Sequence, residues 1–289
     1  MQMVKMLKQN SFLCLLAVSA VLILVLPRAA RAQIDGTLNL KSGRAYQGPA
    51  LTWAEVRFWA SSNETIAVGV TDDVGDRTEG SLALLEIDVG GRDPVANVVR
   101  ASKMRLLAVD FKHQVSEGDW TVAVNPGLEL ALSQPTGTNT ASGFSADWGD
   151  AIPTLGVVME RVYDDSTLII NPKMAKWRSS SVATNNQVVR GFGTVVGIGV
   201  GLEKPMNPRL QLNADVTAII GGRNTINEDT NRVGKDLVWG IGASYLVSET
   251  RPTWLTVFSS NAFGPTGATS LLATPDNAAC FGVRLDSIF

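Results

Sequence analysis

Eleven residues, "LQLNADVTAII" from Leu210 to Ile220, constrain the fold of this chain more than any other stretch. Successive side chains of an extended strand point to opposite faces. Leu210, Leu212, Ala214, Val216, Ala218 and Ile220 therefore share one face, and Gln211, Asn213, Asp215 and Thr217 the other. Strands of soluble proteins peak near five or six residues, whereas a tilted strand crossing a bilayer needs about 9 to 11. The length and the alternation together predict a strand with lipid on one side and water on the other.

The same pattern recurs. "TVVGIGVGL" sets Val196, Ile198, Val200 and Leu202 against Gly197, Gly199 and Gly201, and "LVWGIGASYLV" sets Trp239, Ile241, Ala243, Tyr245 and Val247 against Gly240, Gly242 and Ser244. In "MRLLAVDFKHQ", Leu107, Val109 and Phe111 oppose Asp110 and Lys112. Glycine weakens a strand, so three on one face imply that something crowds that face, a narrow lumen or a bulky group filling it. "GFGTVVG" is not a nucleotide-binding loop, because its glycines lie in a strand-period run with no helix after them.

The first 32 residues read as a cleaved signal peptide: Lys5 and Lys8, an apolar run from Ser11 to Leu26, and "PRAARAQ" with a cleavage site after Ala32. After it, residues 33–52 are expected to form a periplasmic N-terminal extension and residues 53–289 the folded domain. No later run of about 18 apolar residues predicts a transmembrane helix. Four of the 25 basic residues lie in the leader, which leaves 21 against 27 acidic ones and argues against a nucleic-acid partner. Cys280 is the one cysteine after the leader, so no disulfide within the chain is expected.

Connection lengths carry the next signal. From Met104 onward short links ("SEGD", "DDS", "KPMNP", "ETRP") alternate with long ones ("PTGTNTASGFSADWGDA", "RSSSVATNN", "GRNTINEDTNRVGK", "GPTGATSLLATPD"). Short turns at one rim and long loops at the other are the habit of transmembrane barrels. Nine strands follow Met104, and Trp53 to Ala60, Thr65 to Thr71 and Ser81 to Val89 supply three more. The expectation is an all-β fold, a closed antiparallel up-and-down transmembrane β-barrel of about 12 strands, with 10 to 14 as the range. Closure satisfies every backbone group in hydrocarbon.

In "ACFGVRLDSIF", Phe281, Val283, Leu285 and Phe289 share one face, and Cys280, Gly282, Arg284 and Asp286 the other. This resembles the C-terminal strand of Gram-negative outer-membrane barrels. Arg284 and Ser287 stand where that family's pattern carries a glycine and an apolar residue. The resemblance implies that Phe281, Val283, Leu285 and Phe289 form the signal read by the barrel-assembly machinery, that outer-membrane lipid surrounds the barrel, and that the envelope is of Gram-negative type.

Chemistry is sparse. The one histidine, His113, takes the outward parity near a short turn, and "HQVSE" lacks the spacing of a nucleophile with its base, so neither catalysis nor a metal or cofactor is expected. Charges expected to line the lumen are Glu55, Arg57, Glu86, Asp88, Asp110, Lys112, Glu160, Asp215, Arg284 and Asp286. Unpaired burial would cost several kcal/mol each, so these groups must be paired or wet. Trp120, Tyr163, Trp177, Trp254, Phe263 and Phe289 are expected at the membrane interfaces. The expected function is a narrow porin-like channel or passive transporter for small solutes or ions, its acidic bias favouring small cations or neutral solutes. Two alternatives stand beside it: a barrel without conduction whose long loops at residues 135–151 and 221–235 bind partners, and a soluble periplasmic β-sandwich.

Overall fold

In the computed structural model, residues 36–59, 63–92, 99–133, 151–177, 181–184, 187–190, 192–227, 232–274 and 277–288 are described. Twelve strands make a closed, wholly antiparallel barrel. They are β1 (Leu51–Trp59), β2 (Asn63–Gly75), β3 (Thr78–Arg92), β4 (Val99–Ser116), β5 (Thr121–Ser133), β6 (Ala151–Tyr163), β7 (Ser166–Lys176), β10 (Thr194–Asn207), β11 (Leu210–Gly221), β14 (Val238–Ser248), β15 (Thr253–Ser260) and β16 (Cys280–Ile288). β1 closes the sheet on β16, with Leu51 opposite Ile288. Two hairpins lie in long connections: β8 (Ser181–Thr184) with β9 (Gln187–Arg190), and β12 (Thr225–Asn227) with β13 (Arg232–Gly234). Residues 76–77, 117–120, 164–165, 208–209 and 249–252 make the short turns at one rim, the periplasmic side of such a barrel.

Outside the sheet runs an apolar belt. Leu82, Phe111, Ile198, Leu212, Val257 and Val283 all point away from the lumen, and Phe281 is 71% exposed. Inside, β11 turns Gln211, Asn213, Asp215 and Thr217 inward, as its alternation requires.

Prolines in two central wall strands are made tolerable by the residue before each. Pro126 (β5) and Pro172 (β7) cannot donate to the ladder, and bridges fail opposite them, between Asp110↔Gly127 and His113↔Val124 and between Gly156↔Lys173 and Met159↔Ile170. In each case the preceding asparagine supplies the missing donor. Asn125 Nδ2 donates to Phe111 O at 2.7 Å, and Asn171 Nδ2 to Val157 O at 2.8 Å. An orphaned wall carbonyl costs about 1–3 kcal/mol, so the Asn-Pro pair keeps the wall satisfied where proline breaks it.

Several expectations are corrected. Residues 36–50 do not hang outside the barrel as a periplasmic extension. They thread the lumen, with Thr37, Leu38, Asn39, Leu40 and Ser42 buried, and the wall begins at Leu51. Glu86 does not line the lumen: it shares the outward side with Leu82 and Leu84 while Ala83, Leu85 and Ile87 face in, and Arg105 Nε donates to it at 2.8 Å. The apolar parity of β3 is inward at this height because the lumen there is dry. Asp88 is a residue of β3, but its side chain lies outside what the structure describes. Trp177, Trp254 and Phe263 are buried, not interfacial. Tyr163 stands exposed at the periplasmic end of β6, with the Arg161 guanidinium between it and Trp120, and Phe289 lies outside the described residues.

Candidate functional site in the barrel lumen

Among the described residues, two pieces of chain fill the lumen. From the extracellular side the β15–β16 connection, described over residues 261–274, folds inward and carries a short 3₁₀ turn, Thr269–Leu271. Phe263, Ala268, Leu271 and Leu272 pack into one apolar cluster with Leu85, Ile87, Leu106, Ile152, Val195, Ile219 and Val238 of the wall. Wall groups tie down its polar backbone. Thr65 Oγ1 donates to Phe263 O (2.8 Å), Arg57 Nη1 to Ala262 O (3.0 Å), and the Ala268 N–H donates to Glu129 Oε1 (2.6 Å). The result is a dry cap.

From the periplasmic rim the second piece, residues 36–50, rises into the lumen and is held mainly by polar contacts. Asn39 donates its N–H and its Nδ2 to the Asp215 carboxylate (3.2 and 2.8 Å), and its carbonyl accepts from Lys173 Nζ (3.0 Å). Ser42 Oγ and the Gly43 N–H both donate to Glu160 Oε2 (2.5 and 2.8 Å). The Ala45 N–H reaches Gln114 Oε1 (3.2 Å) and the Tyr46 N–H reaches Glu79 Oε2 (2.6 Å). Two salt bridges add to these, Lys41 to Asp110 (3.4 Å) and Arg44 to Glu160 (3.2 Å).

The strand glycines make this fit possible. A Cβ on Gly199 would lie 2.5 Å from Leu40 Cδ2, one on Gly201 2.8 Å from Thr37 Cγ2, and one on Gly197 2.9 Å from Leu271 Cδ2. The crowding that those three glycines imply is real, and the chain's own two plugs supply it.

Of the residues expected to line the lumen, Glu55, Arg57, Asp110, Lys112, Glu160, Asp215, Arg284 and Asp286 all face inward. They form short networks. Arg57 and Glu55, both fully buried, pair at 2.5 Å, and Arg57 stacks on Phe258. Arg284 pairs with Asp286 at 2.7 Å, stands 3.9 Å from Glu55 and lies over Trp53. Buried Lys112 pairs with Glu79 at 3.1 Å.

Sequence reading did not single out Glu79, Gln114, Glu129, Lys173 or residues 36–50. Glu79 precedes the strand expected from Ser81; Glu129 and Lys173 follow the two proline breaks, where parity is hard to carry across. A basic "KSGR" between the leader and the first wall strand, facing a lumen of acidic bias, was the available signal for the plug.

The plugs leave little space. One cavity of about 70 Å³ is lined by Trp53, Glu79, Asp110, Arg284 and Lys41 among others, and a second of about 20 Å³ by Asn125, Asn171, Lys173, Ser270 and Lys41. A water needs roughly 10–15 Å³ on this measure, so these spaces hold a few waters and no larger solute. His113 points outward near the periplasmic rim, where its Nδ1 and Thr78 Oγ1 lie 2.9 Å apart. Among the described residues no group of three or more His, Cys, Asp or Glu is placed to hold a metal ion.

A closed twelve-stranded barrel with an apolar outer belt and a polar, plugged interior is the architecture of outer-membrane β-barrel proteins. Solved outer-membrane barrel structures are similar to this chain in fold. The COG4313 outer membrane channel from Pseudomonas putida F1 superposes with a TM-score of 0.55 at 11% identity, covering 92% of this chain and all of that one. The NanC porin gives 0.49 at 10% identity over 83% of this chain and 98% of that one. The P. putida toluene transporter TodX gives 0.45 at 7% identity over 84% and 91%. No protein-family model and no curated protein matches the sequence.

Proposed function

We propose that the protein is an outer-membrane channel for small polar solutes, built with two closures in series. One observation carries this reading: residues 36–50 hold their place in the lumen largely through hydrogen bonds and ion pairs to the wall. Such bonds exchange for water at a net cost of about 0.5–1.5 kcal/mol each, somewhat more where a charge takes part. A segment held in this way can leave a wetted lumen. The cap differs, because withdrawing Phe263, Leu271 and Leu272 exposes side chains worth roughly 1.5–3 kcal/mol each. Since a continuous path needs both closures displaced, conduction should come as infrequent discrete steps.

A disulfide lock tests the reading. The Gly201 Cβ would stand 2.8 Å from Thr37 Cγ2. The Thr37 Cβ therefore lies within about 4.3 Å, inside the roughly 3.5–4.5 Å that a disulfide spans. In the full chain with Cys280→Ser, the Thr37→Cys/Gly201→Cys pair should show no current steps in a planar bilayer when oxidised and recover them on reduction. Equal currents in both states would sink the gate.

A second reading is favoured by the filled lumen itself: a non-conducting barrel that works through its outer loops. The β12–β13 hairpin lies in one of these, while residues 134–150 lie outside the described residues. Absence of steps in every form, reduced lock included, selects it.

A further inference from the structure

The plug shows what the lumen is built to hold. On three consecutive wall strands, β4, β5 and β6, Asp110, Glu129 and Glu160 turn inward, and all three are buried. The ion pairs described for Asp110 and Glu160 run to the plug, to Lys41 and Arg44, whereas Lys112 on the same wall is engaged by Glu79. Glu129 lies within electrostatic reach of Asp110 and Lys41. Its Oε1 accepts the Ala268 N–H, and its Oε2, with the residue 1% exposed, meets no donor at hydrogen-bond distance among the described residues. Lys41 also borders both cavities.

We infer that "KSGR", Lys41 to Arg44, occupies the site of a solute carrying two or more amino or guanidino groups, and that the β4–β6 carboxylates are the site's recognition surface. Once the plug leaves, Asp110 and Glu160 lose the cations paired with them, and isolated charges in such a place are costly. The vacated lumen therefore recruits cations in their stead. A linear polyamine suits the site, because Lys41 and Arg44 present two cations three residues apart in the chain, and the Ser42 hydroxyl and Gly43 N–H between them donate to the same Glu160 carboxylate that Arg44 pairs with. In this arrangement the plug is an internal competitor for cationic solutes. This inference rests on the gated-channel reading for its transport role, but the binding site itself does not need conduction.

The test is spermidine binding by calorimetry to the full chain folded in detergent, with folding checked by heat-modifiable electrophoretic mobility. Lys41→Gln/Arg44→Gln should bind spermidine about tenfold more tightly than wild type, since the competitor has lost its charges. Adding Asp110→Asn/Glu160→Gln should remove that binding. Should the first pair not fold, Arg44→Gln alone, at a half-exposed position, should tighten binding by about threefold. Unchanged affinity in the plug variants, binding that survives Asp110→Asn/Glu160→Gln, or no saturable binding to any form overturns the inference. Bilayer recordings without current steps would sink the channel while leaving the calorimetric result to stand or fall by itself.

Discussion

At the extracellular end of the lumen Phe263, Leu271 and Leu272 meet Ile87, Leu106 and Ile219 in a dry contact, whereas toward the periplasm Asn39, Lys41, Ser42 and Arg44 meet Asp215, Asp110 and Glu160 in a wet one. Both fill the same barrel, yet they resist removal by different means. Apolar packing is lost all at once when water enters, while polar contacts can be traded with water one at a time. A lumen closed by both has one closure that opens rarely and one that yields readily. Arg57 sits at the junction, bonded to Asn39 on one side and to Ala262 on the other, and so couples the two.

Breaking that junction should have the largest effect. Arg57→Ala leaves buried Glu55 with only the more distant Arg284, 3.9 Å away, and a loss of about 3–5 kcal/mol is expected in urea unfolding from lipid vesicles. Next comes the cap: Leu271→Ala should cost roughly 2–5 kcal/mol and raise the frequency of current steps, because a cavity opens where the lumen is driest. If the frequency does not change, the cap is not in series with the path. Overpacking the plug is gentler. Gly199→Val places methyls against Leu40, should cost about 1–3 kcal/mol, and should raise step frequency by expelling the segment.

Smaller still is the wall repair. Asn171→Ala orphans the Val157 carbonyl at about 1–3 kcal/mol, and Asn171→Ala/Pro172→Ala should regain most of it by restoring a backbone N–H. A double variant no more stable than the single one would refute the substitution of side chain for backbone. At the bottom of the scale, Glu249→Gln removes the partner of Arg209 in an exposed turn and should leave the unfolding curve unchanged.

Legibility in the sequence followed the solvent. Where lipid lies outside and water or polar plug inside, as in β11 and β16, alternation assigned every face, and Leu212, Ile198 and Val283 point outward as read. It misled at Glu86. There the inner face of β3 meets the cap, so both faces are apolar and parity alone cannot choose between them. Trp177, Trp254 and Phe263 failed as interfacial residues for the same reason, since an aromatic beside a strand end serves a dry lumen as well as a membrane surface. The cap was hidden in "GPTGATSLLATPD", whose turn residues read as an outer loop although "SLLA" carries its own apolar load.

By itself the sequence determined a closed antiparallel wall of about twelve strands, its outward belt and its inward charges, because a bilayer imposes one period and one span on every strand that crosses it. Only the tertiary structure decided what lies within that wall. Residues 36–50 and 261–274 carry no strand period of their own, and each takes its path from partners far away along the chain, as Asn39 does from Asp215 and Ala268 from Glu129. A lumen is a surface made by closure, so its occupants are chosen by shape and charge that exist only once the ring has formed.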